Sequence, residues 1–419
     1  MQKRAKLALL PAIALLGSGI TAQAATKLVY WDWHAPRANL VQKYAKQYEA
    51  LHPDVQIDVQ VQSGDFEAKL ATAISAGSPP DISQVHNSWV GRLVSGLTPY
   101  PETMFPGAQL RADNALFDMV STLQGKVYFL PEGIMAAGIY YNTDALAEAG
   151  LEKPALDWAN FTNQAKKLVE KDSTGKISRA GFDFSAGNFQ WLWSDINYQE
   201  GGFLFGKDGG VTFNSPQSQA AWQIELNLLK AGVDNPKQGM DFAKGQAAMK
   251  YNWTWYAASA AAAKDLNYSV SMVPTPTGKS VPARGRNNAE IGMAVPVAIP
   301  ENHKSEAFRF IKWLFGNADF MTELNVALGT IPTQRALWNR PEFTSAPSFR
   351  MLTQEMQYTV FPGPVDNWYW DLLTKVADRL KAGEPLASVL PSAQEQGDAQ
   401  FKATPPPDLT ERLYEPPAK

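Results

Sequence analysis

The stretch from Leu28 to Ile82 alternates between two hydrophobic periodicities, and this alternation limits the folds open to the chain. Leu28–Trp31 is a short apolar run typical of a buried strand, and Val55–Val61 alternates strictly between apolar and polar residues. Apolar residues from Leu40 to Leu51 recur at helical spacing between them, and a second helical segment precedes Ile82. The order strand, helix, strand, helix, strand predicts an α/β fold with a mostly parallel sheet flanked by helices.

Polar and aromatic residues follow the strands of this predicted sheet. Asp32, Trp33 and His34 come directly after the first strand, and Asn87 follows the third. Ligands of such sheets bind at the carboxyl ends of the strands. These four residues are therefore candidates for ligand contact, although Asp32 could instead pair with Arg37 and Asn87 could be a turn residue.

Eight of the 13 tryptophans form Trp-x-Trp pairs: Trp31/Trp33, Trp191/Trp193, Trp253/Trp255 and Trp368/Trp370. The indole ring offers a large apolar face and one N–H donor, which suits a pyranose sugar. One pair in a strand shares a face and can be ordinary core packing. Four pairs in separate stretches predict an aromatic binding site that uses at least three of them.

The N-terminus has the pattern of a secretory signal peptide over residues 1–24. Basic residues precede the apolar run Leu7–Ile20, and Ala22-Gln23-Ala24 is a typical cleavage site, so we expect a mature chain from about Ala25. The absence of cysteine excludes disulfides and a lipid-anchored cysteine after the signal. These features predict an exported protein of the periplasm that is not lipid-anchored. The net charge of -3 argues against a nucleic-acid partner.

Several motifs, in this order, resemble those of the extracellular solute-binding proteins, in particular the carbohydrate-binding group of ABC importers. They span nearly the whole mature chain. The segment Phe242–Met249 belongs to this set of motifs, and its pattern also predicts a helix. The matching segments are Tyr48–Pro53, Ala76–Ile82, Gly125–Pro131, Tyr140–Asp144, Gly150–Pro154 with Trp158, Phe242–Met249 and Val273–Pro276.

The resemblance implies two α/β lobes joined by a three-segment hinge that closes on a ligand. The crossings would lie near Phe129–Gly133, Met272–Pro276 and Gly329–Gln334. Both lobes would then be discontinuous. The N-terminal lobe would comprise residues 25–132 and 274–332, and the C-terminal lobe residues 133–273 and 333–419.

The resemblance also assigns expected roles to individual residues. Trp191, Trp255 and Trp370 occupy positions where the family stacks aromatic rings on sugar, and Trp33 and His34 occupy a ligand-contacting position. Trp193, Trp253 and Trp368 would enlarge this platform, whereas Trp31 is expected in the core. The expected cleft is therefore asymmetric, with stacking mostly from the second lobe and hydrogen bonds mostly from the first. The polar partners would be Asp32, Glu67, Asn87, Asn288 and Asp366.

Structural alternatives remain open for these polar residues. Glu67 could lie on a solvated helix face, Asn288 could be a turn residue, and Asp366 could cap the helix that follows it. The four histidines show no metal-ligand spacing, and the chain carries no nucleotide-binding or hydrolase motif. We therefore expect no metal and no cofactor.

The predicted function is capture of a sugar or oligosaccharide by a monomeric binding protein, which delivers it to the membrane permease subunits of an ABC importer. Two alternatives remain at this stage. An aromatic site of this kind can bind a quaternary ammonium or polyamine cation. Aromatic rings with two carboxylates can also form the site of an exported glycoside hydrolase or lyase.

Overall fold

A computed structural model describes residues 25–115, 122–123, 125–236, 238–279, 285–288, 291–355, 358–363, 365–406 and 412–413. The predicted signal peptide lies outside these ranges. None of the described helices is both long enough and apolar enough to cross a membrane.

Helices flank the sheets along the whole described chain. Several begin at a side-chain cap, as Asp65 does for α2 and Ser215 for α8. The helices are α1 Ala35–Leu51, α2 Phe66–Ser75, α3 Asn87–Leu93, α4 Gly107–Asp113, α5 Thr143–Glu148, α6 Trp158–Leu168, α7 Ser185–Gln199, α8 Pro216–Lys230, α9 Ala257–Ala262, α10 Glu301–Gly316, α11 Ala318–Leu328, α12 Pro341–Thr344, α13 Pro347–Glu355, α14 Asn367–Lys381 and α15 Leu386–Ala403.

The strands divide between two large sheets and two small hairpins. Their bounds are β1 Thr26–Asp32, β2 Val55–Val61, β3 Ile82–His86, β4 Leu97–Thr98, β5 Thr122–Leu123, β6 Lys126–Val127, β7 Leu130–Pro131, β8 Gly133–Asn142, β9 Glu170–Lys171, β10 Ile177–Arg179, β11 Met249–Trp253, β12 Tyr268–Ser271, β13 Gly285–Asn288, β14 Ile291–Pro296, β15 Ile331–Pro332, β16 Thr359–Phe361 and β17 Arg412–Leu413.

The first sheet has six strands and confirms the predicted α/β alternation. Its order is β2-β1-β3-β14-β4, with β7 on β14. β1 pairs in parallel with both β2 and β3, and Tyr30 lies opposite both Val59 and Ile82. Because Leu28 and Tyr30 point to the buried face, α1, α10 and α11 pack against them.

The second sheet has seven strands and is centred on the long strand β8. Its order is β11-β8-β13-β16-β17, and β12 and β15 also pair with β8. The largest apolar core covers this sheet and contains Phe161, Phe182, Trp193, Trp222 and Tyr369. The two sheets, each flanked by helices, form the expected two-lobed architecture.

Over the described residues, the chain crosses between the two sheets three times. The first crossing runs from β7 into β8, and the third reaches β15, whose Ile331 and Pro332 pair with Ile134 and Gly133. The second crossing differs from the prediction of Met272–Pro276. β13 still pairs with β8 and β16, and β14 is the first strand to rejoin the first sheet, so the crossing lies between Asn288 and Ile291.

Close packing at the paired crossings requires glycine. A Cβ atom on Gly133 would lie 2.3 Å from Asn325 Oδ1 and 2.6 Å from Thr330 Oγ1. Gly329 ends α11 with a φ of 65°, in the left-handed region that glycine adopts without strain.

The helix predicted over Phe242–Met249 is wrong in extent. Only Phe242–Lys244 forms a 3-10 turn, which ends at Gly245 with a φ of 73°. Met249 already begins β11. Met249 is buried in β11, and Ala247 and Ala248 are buried in the segment directly before it. These apolar residues therefore do not form one face of a helix.

Candidate functional site

A cavity of about 990 Å³ lies between the two sheets and collects residues from both. The ends of β1 and β3 and the starts of α1 and α3 supply one wall. The start of α7, the end of β11, β13 and the start of α14 supply the other. Its aromatic and charged lining residues are Trp33, His34, Arg37, His86, Trp191, Lys250, Trp253, Trp255, Tyr256, Arg286 and Trp370. We call these two surfaces the first wall and the second wall.

On the second wall, three of the predicted tryptophans surround one arginine. The guanidinium carbon of Arg286 lies 4.3 Å from the ring centroid of Trp191, 4.5 Å from that of Trp253 and 4.8 Å from that of Trp370. Trp191 and Trp370 also contact each other, at a centroid distance of 5.0 Å. Cation–π attraction holds such an arrangement together. We call Arg286 and these three rings the arginine cage.

Trp255 is the aromatic ring of the second wall that is most available to a ligand. It lies in the 3-10 turn Thr254–Tyr256 directly after β11, and 48 % of its surface is exposed. It meets Tyr256 edge-on. A large exposed apolar ring inside a cavity is a stacking surface that costs little side-chain entropy on binding.

On the first wall, Trp33 belongs to an aromatic cluster. Its ring lies 5.1 Å from that of Phe66 and 5.0 Å from that of Trp89. The guanidinium carbon of Arg37 lies 4.6 Å from its centroid. Trp31, expected in the core, is partly buried against the same cluster and donates its indole N–H to Gln60.

Asp32 is not a ligand-facing residue, which corrects its predicted role. Arg37 donates to both of its carboxylate oxygens, from Nε at 2.7 Å and from Nη2 at 2.6 Å. Asp32 also accepts the backbone N–H of His34. Both side chains are almost completely buried, so this bidentate pair is the structural alternative that the sequence had left open.

Two histidines line the first wall at the strand ends. Nδ1 of His34 is buried and has no hydrogen-bond partner in the described part of the chain. Burial lowers the pKa of His34 and nearby Arg37 lowers it further, so the ring is neutral at neutral pH. His86 Nδ1 lies 2.8 Å from the Ser88 hydroxyl. Both rings have the polar edges that sugar hydroxyls require.

Two buried carboxyls lie beneath the second wall. Lys250 forms an ion pair with Asp183, and burial raises the pKa of Asp183 to about 6 despite that lysine. Asp195 accepts the backbone N–H of Arg286 at 3.0 Å and the hydroxyl of Tyr251 at 2.6 Å. Burial also raises the pKa of Asp195 to about 6. Neither carboxyl is among the lining residues.

Trp193 and Trp368 lie outside the cavity lining, and helix geometry explains why. Trp193 is fully buried and stacks on Trp222 at 5.2 Å. Trp368 is partly buried against the core of the second sheet. Both pairs sit on helices, α7 and α14, where residues two apart point to nearly opposite sides. The expectation that both rings of these pairs share one platform is therefore wrong.

Glu67 and Asp366 meet at the edge of the cleft instead of lining it. Arg92 on α3 forms ion pairs with both carboxylates. Asn367 donates to Glu67 at 3.5 Å. Asp366 also caps α14 through the backbone N–H of Trp368, which is the alternative that the sequence had left open.

The two predicted asparagines have different outcomes. Asn87 is buried at the start of α3 and is not a lining residue. Asn288 is a strand residue of β13 paired with Met135, not a turn residue, and its side chain lies outside the described part of the structure.

Sequence reasoning missed most of the polar lining. Asn188, Lys250, Asn252 and Arg286 lie on the second wall, so polar groups are not concentrated on the first wall as expected. One signal was available, because Arg286 stands two residues before Asn288 and therefore on the same face of a strand.

The charge of the cavity lining contradicts one alternative function. Arg37, Lys250 and Arg286 line the cavity, and no Asp or Glu does so among the described residues. A polyamine or quaternary ammonium would meet cations where it needs carboxylates or free ring faces. Over the same residues, no group of three His, Asp or Glu side chains is placed to hold a metal ion.

Comparisons with known proteins agree with this architecture. Residues 34–319 match the family model of the bacterial extracellular solute-binding proteins. A lactose-binding protein of Rhizobium radiobacter is 24 % identical over 96 % of this chain and 98 % of its own. A maltotriose-binding protein of Pyrococcus abyssi is 23 % identical over 78 % of this chain and 71 % of its own.

A solved structure shares the fold. The sugar-binding protein MalE from Xanthomonas citri superposes with a TM-score of 0.76 at 18 % identity, over 90 % of this chain and 98 % of its own. The family match covers more than half of the chain, on the two-lobed fold with a cleft between its sheets. The chain belongs to the bacterial extracellular solute-binding protein family.

Proposed function

We propose that this protein captures a sugar or oligosaccharide in the cavity between its lobes and delivers it to the permease subunits of an ABC importer. We further propose that it works as a monomer in the periplasm without a lipid anchor. The absence of cysteine supports the last point, because a lipid anchor after a signal peptide requires that residue.

The observation that carries this proposal is the aromatic cavity. It combines the exposed ring of Trp255 and the partly buried ring of Trp33 with polar groups at His34, Asn188 and Asn252. Its volume of about 990 Å³ lies at the upper end of small-molecule sites, which favours an oligosaccharide over a single ring. The names of the lactose-binding and maltotriose-binding relatives point to the same class of ligand.

Hinge closure would couple binding to delivery. We propose that the lobes keep the predicted boundaries near residues 132 and 332, and that the middle boundary moves from residue 274 to the gap between Asn288 and Ile291. A ligand that contacts both walls binds the closed form better than the open one and so shifts the population toward it.

The glycoside hydrolase alternative lacks support from this cavity. Hydrolysis of a glycosidic bond requires two carboxyl groups that flank the scissile bond. The described lining contains cations, amides and aromatic rings but neither Asp nor Glu. We therefore propose binding without turnover.

Native mass spectrometry of the protein purified from its host is the direct test of the proposed function. We expect a bound mass that matches a sugar or sugar oligomer. Titration with a panel of di- and trisaccharides, followed by calorimetry, would then give the affinity. A retained polyamine, or failure of every carbohydrate to bind, would refute the proposal.

A matched pair of tryptophan variants separates the site from general stability. Trp255→Phe shrinks an exposed ring in the cavity, whereas Trp313→Phe changes a partly buried ring that packs between α1 and α10. We expect weaker sugar binding only for Trp255→Phe. Equal affinities of both variants and the parent would remove Trp255 from the site.

A further inference from the structure

The three cations of the cavity lining are not equivalent. Arg37 is matched by the bidentate carboxylate of Asp32, and Lys250 is matched by Asp183. Each of these two cations is therefore neutralised by the protein itself. Arg286 has no such partner for its guanidinium.

The guanidinium of Arg286 makes no ion pair or hydrogen bond with any described residue. Its Nε is buried without a partner, and only 4 % of the residue is exposed. The charge of Arg286 interacts with the buried carboxylate of Asp195 and lowers its pKa, but that carboxylate accepts the backbone N–H of Arg286 and the hydroxyl of Tyr251 and no N–H of the guanidinium. A buried guanidinium whose N–H groups lack hydrogen-bond acceptors is costly, and an anionic ligand would supply the missing acceptors.

The arginine cage holds this cation in a fixed position. Trp191, Trp253 and Trp370 contact its guanidinium at 4.3, 4.5 and 4.8 Å, and the strand pairing of β13 fixes its backbone. An arginine restrained in this way loses little further entropy when it binds a ligand. Its planar N–H donors match the geometry of an oxyanion such as carboxylate or phosphate.

We propose that the ligand is an acidic sugar: a pyranose that carries an oxyanion substituent, which Arg286 binds while Trp255 stacks on a sugar ring. This inference rests on the proposed function and narrows its ligand class. The lack of lining Asp or Glu among the described residues supports it, because no carboxylate of this lining would repel the ligand.

Calorimetry with matched ligands tests the proposal on the unmodified mature protein. Disaccharides of the glucose, galactose and mannose series would each be measured as the neutral form, the C6 carboxylate, its methyl ester and the C6 phosphate. We expect at least one anionic form to bind on the order of 100-fold more tightly than its neutral counterpart. The methyl ester should bind like the neutral sugar.

The set of ligands distinguishes a carboxylate from a phosphate as the oxyanion. It also distinguishes failure of the acidic-sugar proposal from failure of the proposed sugar capture. Preference for the carboxylate over the phosphate would identify a uronate, and the reverse a phosphorylated sugar. Equal or tighter binding of neutral sugars would overturn the acidic-sugar proposal and leave sugar capture intact. Failure of all these sugars to bind would overturn both.

Variants of Arg286 test whether this residue binds the negatively charged group of the ligand. Arg286→Met should lower the affinity for the anionic ligand about 100-fold relative to that for its neutral counterpart, so that the preference for the anion disappears. Arg286→Lys keeps the charge but not the planar fork, so we expect a loss of about tenfold. Arg379→Met, at an exposed arginine later in α14, is the control and should change neither affinity. Unchanged anion preference in Arg286→Met would overturn the assignment, and the methyl-ester comparison decides the ligand class if that variant does not fold.

Discussion

Arg37 and Arg286 face the same cavity from opposite walls, and both lie against tryptophan rings. Arg37 is held by two hydrogen bonds from its guanidinium to Asp32. Although burial lowers the pKa of Arg37, these bonds and the nearby charges raise it above its ordinary value. The guanidinium of Arg286 contacts three tryptophan rings and forms no ion pair or hydrogen bond with a described residue. The comparison shows that burial and stacking do not reveal the role of an arginine, whereas the presence or absence of a matched carboxylate does.

The same contrast distinguishes the two walls. Beneath the first wall, hydrogen bonds link the buried side chains, since Gln84 donates to Tyr30 at 2.8 Å and to Glu132 at 2.5 Å. Tyr30 in turn donates to Asp32. The second wall contains the buried guanidinium of Arg286, to which no described residue is hydrogen-bonded. We therefore expect substitution of Arg37 to change stability and substitution of Arg286 to change affinity.

The largest expected difference is in stability between two arginine variants. Arg37→Met leaves the carboxylate of Asp32 buried without its partner, so we expect the free energy of unfolding to fall by about 3–5 kcal/mol. Arg286→Met breaks no ion pair, and its change should be about 1 kcal/mol or less. Urea denaturation of both variants measures the difference. Equal losses would mean that Arg286 is as structural as Arg37.

The Trp193 and Trp255 variants should show the same division within the lobe that carries the second wall. Trp193→Ala empties a fully buried site beside Trp222 and should lower the free energy of unfolding by about 3–5 kcal/mol. Trp255→Ala should change stability by less than about 1 kcal/mol and weaken sugar binding about tenfold. Thermal denaturation and calorimetry of each variant provide the two readouts. Loss of affinity in folded Trp193→Ala would contradict the division.

The hinge-side carboxyl of Glu132 should make stability depend on pH. Burial raises the pKa of Glu132 from its ordinary 4.5 to about 7. Between these values the folded protein keeps a proton that the unfolded chain releases, so the free energy of unfolding falls as pH rises from about 4.5 to 7, by on the order of 3 kcal/mol. Glu132→Gln should remove this loss.

The comparison with Glu132→Gln isolates Glu132 from other carboxyls. Burial also raises the pKa of Asp183 and of Asp195 to about 6, and both would act in the same direction. The measurement is urea denaturation of the parent and of Glu132→Gln at pH 5 and pH 8. Because both proteins contain Asp183 and Asp195, the contribution of these two carboxyls to the pH dependence cancels in the difference between the proteins. Parallel pH dependence in the two proteins would show that Glu132 is ionised in the folded state.

Periodicity predicted the fold well because it reports burial directly. The strands β1, β2 and β3 and the helices between them follow from the spacing of apolar residues. The position of the second crossing did not follow, since local sequence does not show that β13 pairs with β8. The helix over Phe242–Met249 failed because Gly245 in the left-handed region and the strand pairing of Met249 outweighed the apolar spacing.

The candidate site was predictable in part. Trp33, Trp191, Trp253, Trp255 and Trp370 all line the cavity, as their residue type suggested. The phase of α7 and α14 turns Trp193 and Trp368 away. The sequence predicted a helix after Asp366 but none around Trp191 and Trp193. Charges were the weakest predictions, because the partner of a carboxylate is set by tertiary contacts: Arg37 binds Asp32, and Arg92 binds both Glu67 and Asp366.

The smallest expected effect concerns the ion pairs that join the two walls at the cleft edge. Arg92 on α3 bridges Glu67 on the same wall to Asp366 at the start of α14 on the other. The Arg92 side chain is 42 % exposed, so solvent screens the bridge and its contribution to closure is about 1 kcal/mol or less. Arg92→Gln should therefore weaken sugar binding no more than about fivefold.

Salt provides the control for this bridge. In the parent, part of the affinity should decrease as ionic strength rises from low to physiological values, and in Arg92→Gln that part should be absent. Arg309→Gln, which removes an ion pair within α10, should keep the salt dependence of the parent. A loss much larger than fivefold in Arg92→Gln would mean that Arg92 itself contacts the ligand, and the charge recognition assigned to the second wall would then be shared by the first.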